Sequence, residues 1–149
     1  MKRINKDKIV RIWSLIIHRL GKSKYKQDPP SLVFQSDEKC GGLFYGEYTN
    51  YDNRIKIWWK SHTTSKEIAS TMIHEYVHYL QYWPWYIRYM NKYTYDKNPY
   101  ELQAVSISKL HEPEISKYTS DQEWRKLLKK DPKLKKIYET VSDKIIINI

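Results

Sequence analysis

Residues 64–83 read TSKEIASTMIHEYVHYLQYW, and the rest of the chain takes its place around them. Thr64 followed by Glu67 has the form of a capping box. Ala69, Met72, Ile73, Tyr76, Leu80 and Trp83 recur at the spacing of one helical face. The spacing predicts a helix over 64–83 that stops at Pro84. On it His74 and His78, four residues apart, stand one turn apart on the same side. Two imidazoles so placed can share one metal ion at about 2.0–2.1 Å each. Glu75 points beside the pair, where it reaches a water on the metal rather than the metal, the position a general base needs. With 5 His in 149 residues, chance gives this His-Glu-x-x-His spacing an expected count of roughly 0.01. The plainer alternative is a pair of surface histidines on a core helix.

Upstream, Ile9, Ile12, Trp13, Ile16, Ile17 and Leu20 form a helical stripe across 5–20, with Gly21 as its stop. A polar loop follows and ends in Pro29-Pro30. Ser31–Gln35, Leu43–Tyr48 and Arg54–Trp59 are short β-branched or aromatic runs separated by turn-like Cys40-Gly41-Gly42 and by 49–53. They predict a three-stranded antiparallel meander, with Ile55 and Ile57 on one face.

Downstream, residues 85–97 are aromatic without a clear period. Asn98 as N-cap, Pro99 at the first helical position and Glu101 three residues after the cap predict a further helix, running to about Leu110 before Pro113. Two more helices are expected near Ser120-Asp121 and Asp131-Pro132. Ile145–Ile149 reads as a helix end or a short strand. The expectation is one α+β domain over 1–149, with a core at about 1–112 and a C-terminal helical extension at about 113–149.

A catalytic zinc takes three protein ligands and keeps a fourth position for water. A third ligand must therefore come from outside the first helix. The metzincin arrangement is closed, because Pro84 stands where its third His belongs and Gln81 where it has Gly. The stretch Asn98-Pro99-Tyr100-Glu101-Leu102-Gln103-Ala104 resembles the glutamate helix of gluzincins and of small bacterial and phage peptidases with the same first motif. With Gly46-Glu47-Tyr48 and Ile55-Lys56-Ile57 upstream, residues 40–110 are similar to a compact minigluzincin. That resemblance implies a zincin-like fold, a Zn²⁺ held by His74, His78 and Glu101, and peptide hydrolysis with Glu75 as base. The alternative for Glu101 is a simple capping-box glutamate. Gluzincins of the thermolysin kind carry an acidic residue one turn after the third ligand to orient a histidine. Here that place holds Val105, between Ala104 and Ser106.

His111 is the competing third ligand, as in the three-histidine SprT-like proteases, which are DNA-associated. His62 and His18 read as structural or exposed. Cys40 invites comparison with peptide deformylases, though a turn or buried cysteine is the default. The oxyanion needs a second electrophile, for which Tyr93 and Tyr95, just upstream of Glu101, are the candidates among 14 Tyr. In zincins a sheet strand holds extended substrate, and here some part of 54–60 is expected to do so. Minigluzincins can also plug their cleft with a C-terminal segment, a role open to Ile145–Ile149 beside the ordinary one of packing in the core.

The net charge of +10, from 27 Lys+Arg against 17 Asp+Glu, reads first as a solvated Lys-rich surface. Affinity for nucleic acid, an anionic membrane or an acidic partner is the second reading. The single Cys excludes an intramolecular disulfide, no run reaches the ~18 apolar residues of a membrane span, and 1–20 lacks the form of a signal peptide. A cytoplasmic location is expected. Three function classes remain: a peptidase, a small-amide metallohydrolase of the deformylase or amidase type, and a basic nucleic-acid-binding module.

Overall fold

The computed structural model describes residues 5–26, 28–36, 46–59 and 64–148. Helix α1 (Lys6–Leu20) begins at Asn5, whose side chain accepts from the Lys8 N–H, and ends at Gly21, whose φ of 76° suits a residue without Cβ. It is followed by β1 (Ser31–Ser36), β2 (Gly46–Thr49), β3 (Arg54–Trp59), α2 (Ser65–Leu80), α3 (Trp83–Lys92), a 3₁₀ turn (Tyr95–Lys97), α4 (Pro99–Tyr118), α5 (Asp121–Lys130), α6 (Pro132–Val141), a second 3₁₀ turn (Ser142–Lys144) and β4 (Ile145–Asn148). The expected turn at Cys40-Gly41-Gly42, the start of the second expected strand and His62 lie outside the described residues.

The sheet is mixed and four-stranded, in the order β2-β3-β1-β4, which corrects the three-stranded antiparallel meander. Only β2 and β3 are antiparallel; β1 runs parallel to both β3 and β4. The 50–53 turn, with Asn53 at φ 49°, closes β2 onto β3, and Asn is among the few residues that tolerate that conformation. The longer passage from β1 to β2 imposes no such adjacency, so β3 enters between them. Leu32 faces Ile55 and Ile145 across the sheet, and Phe34 faces Ile57 and Ile147. These residues form the sheet's share of the core with α1 and α2. Ile145–Ile147 are thus part of a strand on the edge opposite β2, and Ile149 lies outside the described residues.

Helices α2 and α4 pack closely because both present small residues. Ala69 and Ala104 are fully buried, and the Ser70 and Ser108 hydroxyls meet at 2.8 Å. Two helix boundaries differ from expectation. Helix α2 stops at Leu80, and the aromatic stretch forms α3, with Pro84 in its first turn. Helix α4 runs through Pro113 to Tyr118. Proline leaves the Lys109 carbonyl without its helical donor, but both residues are exposed, so water can serve that carbonyl, while the buried stripe Ala104, Ser108, Ile115 continues beneath. No helix of the described residues is long and apolar enough to cross a membrane.

Candidate metal centre

Helical spacing sets His74 and His78 side by side, with ring centroids 5.0 Å apart. The third group comes from the first turn of α4. Asn98 caps that helix by accepting from the Tyr100 N–H at 2.9 Å, and the close α2–α4 packing brings Glu101 over the imidazoles. Glu101 Oε1 lies 2.8 Å from His78 Nε2, and Oε2 lies 3.2 Å from His74 Nε2. The ligand atoms of these three side chains all fall within 4.8 Å of one another. A tetrahedral ion with ligands at about 2.0–2.1 Å separates its ligand atoms by roughly 3.3 Å. The geometry and the two-nitrogen, one-carboxylate chemistry therefore fit a zinc ion. His111 stands ten residues beyond Glu101, about 15 Å along the same helix at ~1.5 Å per residue, and is not in this cluster. His18 is engaged elsewhere, its Nε2 2.9 Å from Asp131 Oδ2.

Beside the cluster lies a cavity of about 410 Å³, lined among others by Glu75, His78, Glu101, Trp83, Tyr86 and Tyr95. Glu75 is 8% exposed. Burial pushes its carboxyl up, His78 and His74 pull it back, Glu101 adds to the rise, and the Tyr48 backbone opposes it. Burial also opposes charge on Glu101, but hydrogen bonds with His74 and His78 outweigh that and hold it well below the usual carboxylate range. Burial disfavours a charged His78 as well; Glu101, Glu75 and Gln81 together raise it. Gly46 of β2 sits against this helix: a Cβ there would meet Thr71 Cγ2 at 2.7 Å and Glu75 Cγ at 3.1 Å. Only glycine lets the strand approach Glu75 so closely.

The two tyrosine candidates separate. Tyr95 lines the cavity at its mouth, 71% exposed, with its phenol raised first by burial and then by Glu101. Tyr93 does not line it; its ring packs against Tyr89 and lies beneath Lys92. Three other residues at the site carry no strong sequence signal. Tyr86 donates to Glu101 Oε1 at 2.9 Å. Trp83 stacks on Tyr86 with ring centroids 5.0 Å apart and ring planes nearly parallel at 6°. Gln81 is the most consequential. Its Nε2 donates to the Tyr100 carbonyl at 2.9 Å and to Gln103 Oε1 at 2.8 Å, which fixes the amide's orientation. Its Oε1 then accepts from His78 Nδ1 at 2.8 Å. That bond leaves His78 Nε2 as the atom facing Glu101 and supplies the histidine-orienting partner that Val105, 40% exposed, does not. The signal for Gln81 was its place three residues after His78 in the helix expected over 64–83; in the structure it is the extended residue that ends α2.

No family model matches the chain, and no curated protein or solved structure matches it.

Proposed function

We propose that this chain is a zinc-dependent metallopeptidase of the gluzincin kind. The observation that carries the reading is the convergence of His74, His78 and Glu101 on one point, with the buried carboxylate of Glu75 beside it. A zinc ion held there supplies Lewis-acid charge that brings a water's pKa toward neutrality. Glu75, its carboxyl raised by burial, takes the proton of the attacking water and hands it to the leaving amine. Tyr86 holds Glu101 through its hydroxyl. Tyr95, which also lines the cavity and interacts with Glu101, is the phenol that turns to an oxyanion when substrate is bound.

A peptide is favoured over a small amide because the cavity is bordered by a strand edge. Among the described residues β2 pairs with β3 alone, whereas β3 is paired on both sides. An extended substrate adding by backbone hydrogen bonds would therefore use 46–49, which revises the expected role of 54–60. The β4 residues, paired to β1 at the far edge, have no part in covering the cleft.

The test joins metal content, measured by mass spectrometry, to cleavage of an unfolded protein such as casein. Expected are one zinc per chain, cleavage abolished by a chelator, and Glu75→Gln that keeps the zinc and loses cleavage. Cleavage that survives either treatment sinks the reading. Metal retained in full by Glu101→Ala removes Glu101 from the ligand set.

A further inference from the structure

A second cavity, of about 340 Å³, opens between α1, Lys22, residues 28–30 and α6. It lies at the starts of the parallel strands β1 and β4, since Pro30 and Lys144, which immediately precede them, both line it. Its volume falls in the range of about 300–1,000 Å³ typical of ligand pockets. Its walls are two helical stripes and a proline corner. Trp13 and Ile17 stand one turn apart on α1, Ile137 and Val141 one turn apart on α6, and Pro29-Pro30 closes the angle between them.

The mouth has the opposite character. Lys22, Lys136 and Lys144 reach it from the two sides, and Asp28 is the one carboxylate among its described lining residues. None of these four joins an ion pair among the described residues. Three ammonium groups against one carboxylate leave a positive rim over an apolar floor. Burying an apolar body against such a floor contributes roughly 25 cal/mol per Å², and the rim selects the sign of the head group. No residue of this cavity lines the one beside Glu75.

We infer that this cavity is a binding site for a small amphiphilic anion: an alkyl chain or aromatic body seated against Ile137 and Pro29, in front of the buried Trp13, Ile17 and Val141, with a carboxylate or similar head among the three lysines. The site works independently of the metal centre and of the peptidase reading.

Calorimetric titration of the full chain with decanoate tests it, with decanol as the probe lacking a charged head and butyrate as the probe lacking a long tail. Expected is one saturable decanoate site per chain, with both control probes weaker by about tenfold or more. Joint Lys136→Glu and Lys144→Glu weakens decanoate about tenfold or more. Thr140→Trp, which fills the mouth from an exposed position, abolishes binding while circular dichroism and Tm stay those of the parent. If the charge-reversed protein does not fold, the Lys136→Gln, Lys144→Gln pair reads the same effect. The inference is overturned if decanoate does not bind, if decanol binds as tightly, or if binding is unchanged in these variants. Binding of an acidic peptide or phosphatidylglycerol vesicles through these residues, without decanoate binding, also overturns it.

Discussion

Helices α2 and α3 follow one another with two residues between them, and both furnish the cavity beside Glu75, yet they are built in opposite ways. In α2, nine of 16 residues are buried, including Glu75 and His78. In α3 none of the 10 is buried, and Trp85, Ile87 and Met90 are 42%, 38% and 54% exposed. The charged chemistry sits on the helix whose side chains have nowhere else to go; the aromatic wall of Trp83 and Tyr86 sits on the helix held least. On the proposed function, ligand geometry must be kept to fractions of an ångström, whereas a wall meant to meet varied substrate side chains would gain from compliance.

The largest expected effect belongs to α2 chemistry. Glu75→Gln should lower kcat by about 10²–10⁴ with zinc content unchanged, whereas Trp85→Ala on α3 should leave kcat within a factor of a few; steady-state kinetics on one peptide checks both. If Trp85→Ala cost as much as Glu75→Gln, the division of labour between the helices would be wrong. Next comes stability. Tyr76 is fully buried with its ring edge-on to Trp13 at 5.4 Å, so Tyr76→Ala should cost about 3–5 kcal/mol in urea unfolding. Trp85→Ala should stay within about 0.5 kcal/mol.

A smaller effect tests the join between α2 and α4. Gln81→Ala removes the acceptor for His78 Nδ1 and should weaken zinc about 10–100-fold in a competition assay with a chelating dye. Loss of the same size from Val105→Ala would move the orienting role elsewhere.

The smallest is a pH dependence of the metal-free protein. The folded pKa of Glu101 lies below its ordinary 4.5, so its contribution to stability is present above that value and is lost as pH falls toward the folded pKa. The folded pKa of His78 lies above its ordinary 6.5, so its contribution is full below 6.5 and is lost as pH rises through the folded value. Glu75, also raised by burial, acts in the same direction as His78, because the folded state holds its proton longer than the unfolded chain does. Tm of the metal-free protein should therefore be highest at mildly acidic pH and decline on both sides. Glu101→Gln should flatten the acid limb, and a profile unchanged by that substitution would show that His78 and Glu101 do not pair without metal.

The sequence was legible wherever contrast along the chain was strong. The Thr64 cap and the Asn98-Pro99 start of α4 are each a few residues long and each appears in the structure, as does the α2 stripe from Ala69 to Leu80, whereas Trp83 falls on α3. Helix α3 was not legible because inward Trp83, Tyr86 and Tyr89 alternate with outward Trp85, Ile87 and Met90, which erases the difference between faces on which periodicity depends. The sheet was misread because alternation reveals which side of a strand is buried but not which strand lies next to it. Strands of matching pattern, such as Leu32-Phe34 and Ile55-Ile57, can pair in either direction.

From residue order alone came the motif on α2: four-residue spacing on a helix forces two imidazoles together whatever the rest of the chain does, and the adjacent carboxylate follows from the same 3.6-residue turn. The folded chain was needed to bring Glu101 rather than His111 beside the two imidazoles, to find Gln81 behind His78, to show β2 at the sheet edge beside the cavity, and to bring Trp13 and Val141 into one cavity. Each of these joins residues distant in sequence or picks among chemically equal alternatives, and such pairings are settled by how helices and strands pack against one another rather than by local spacing.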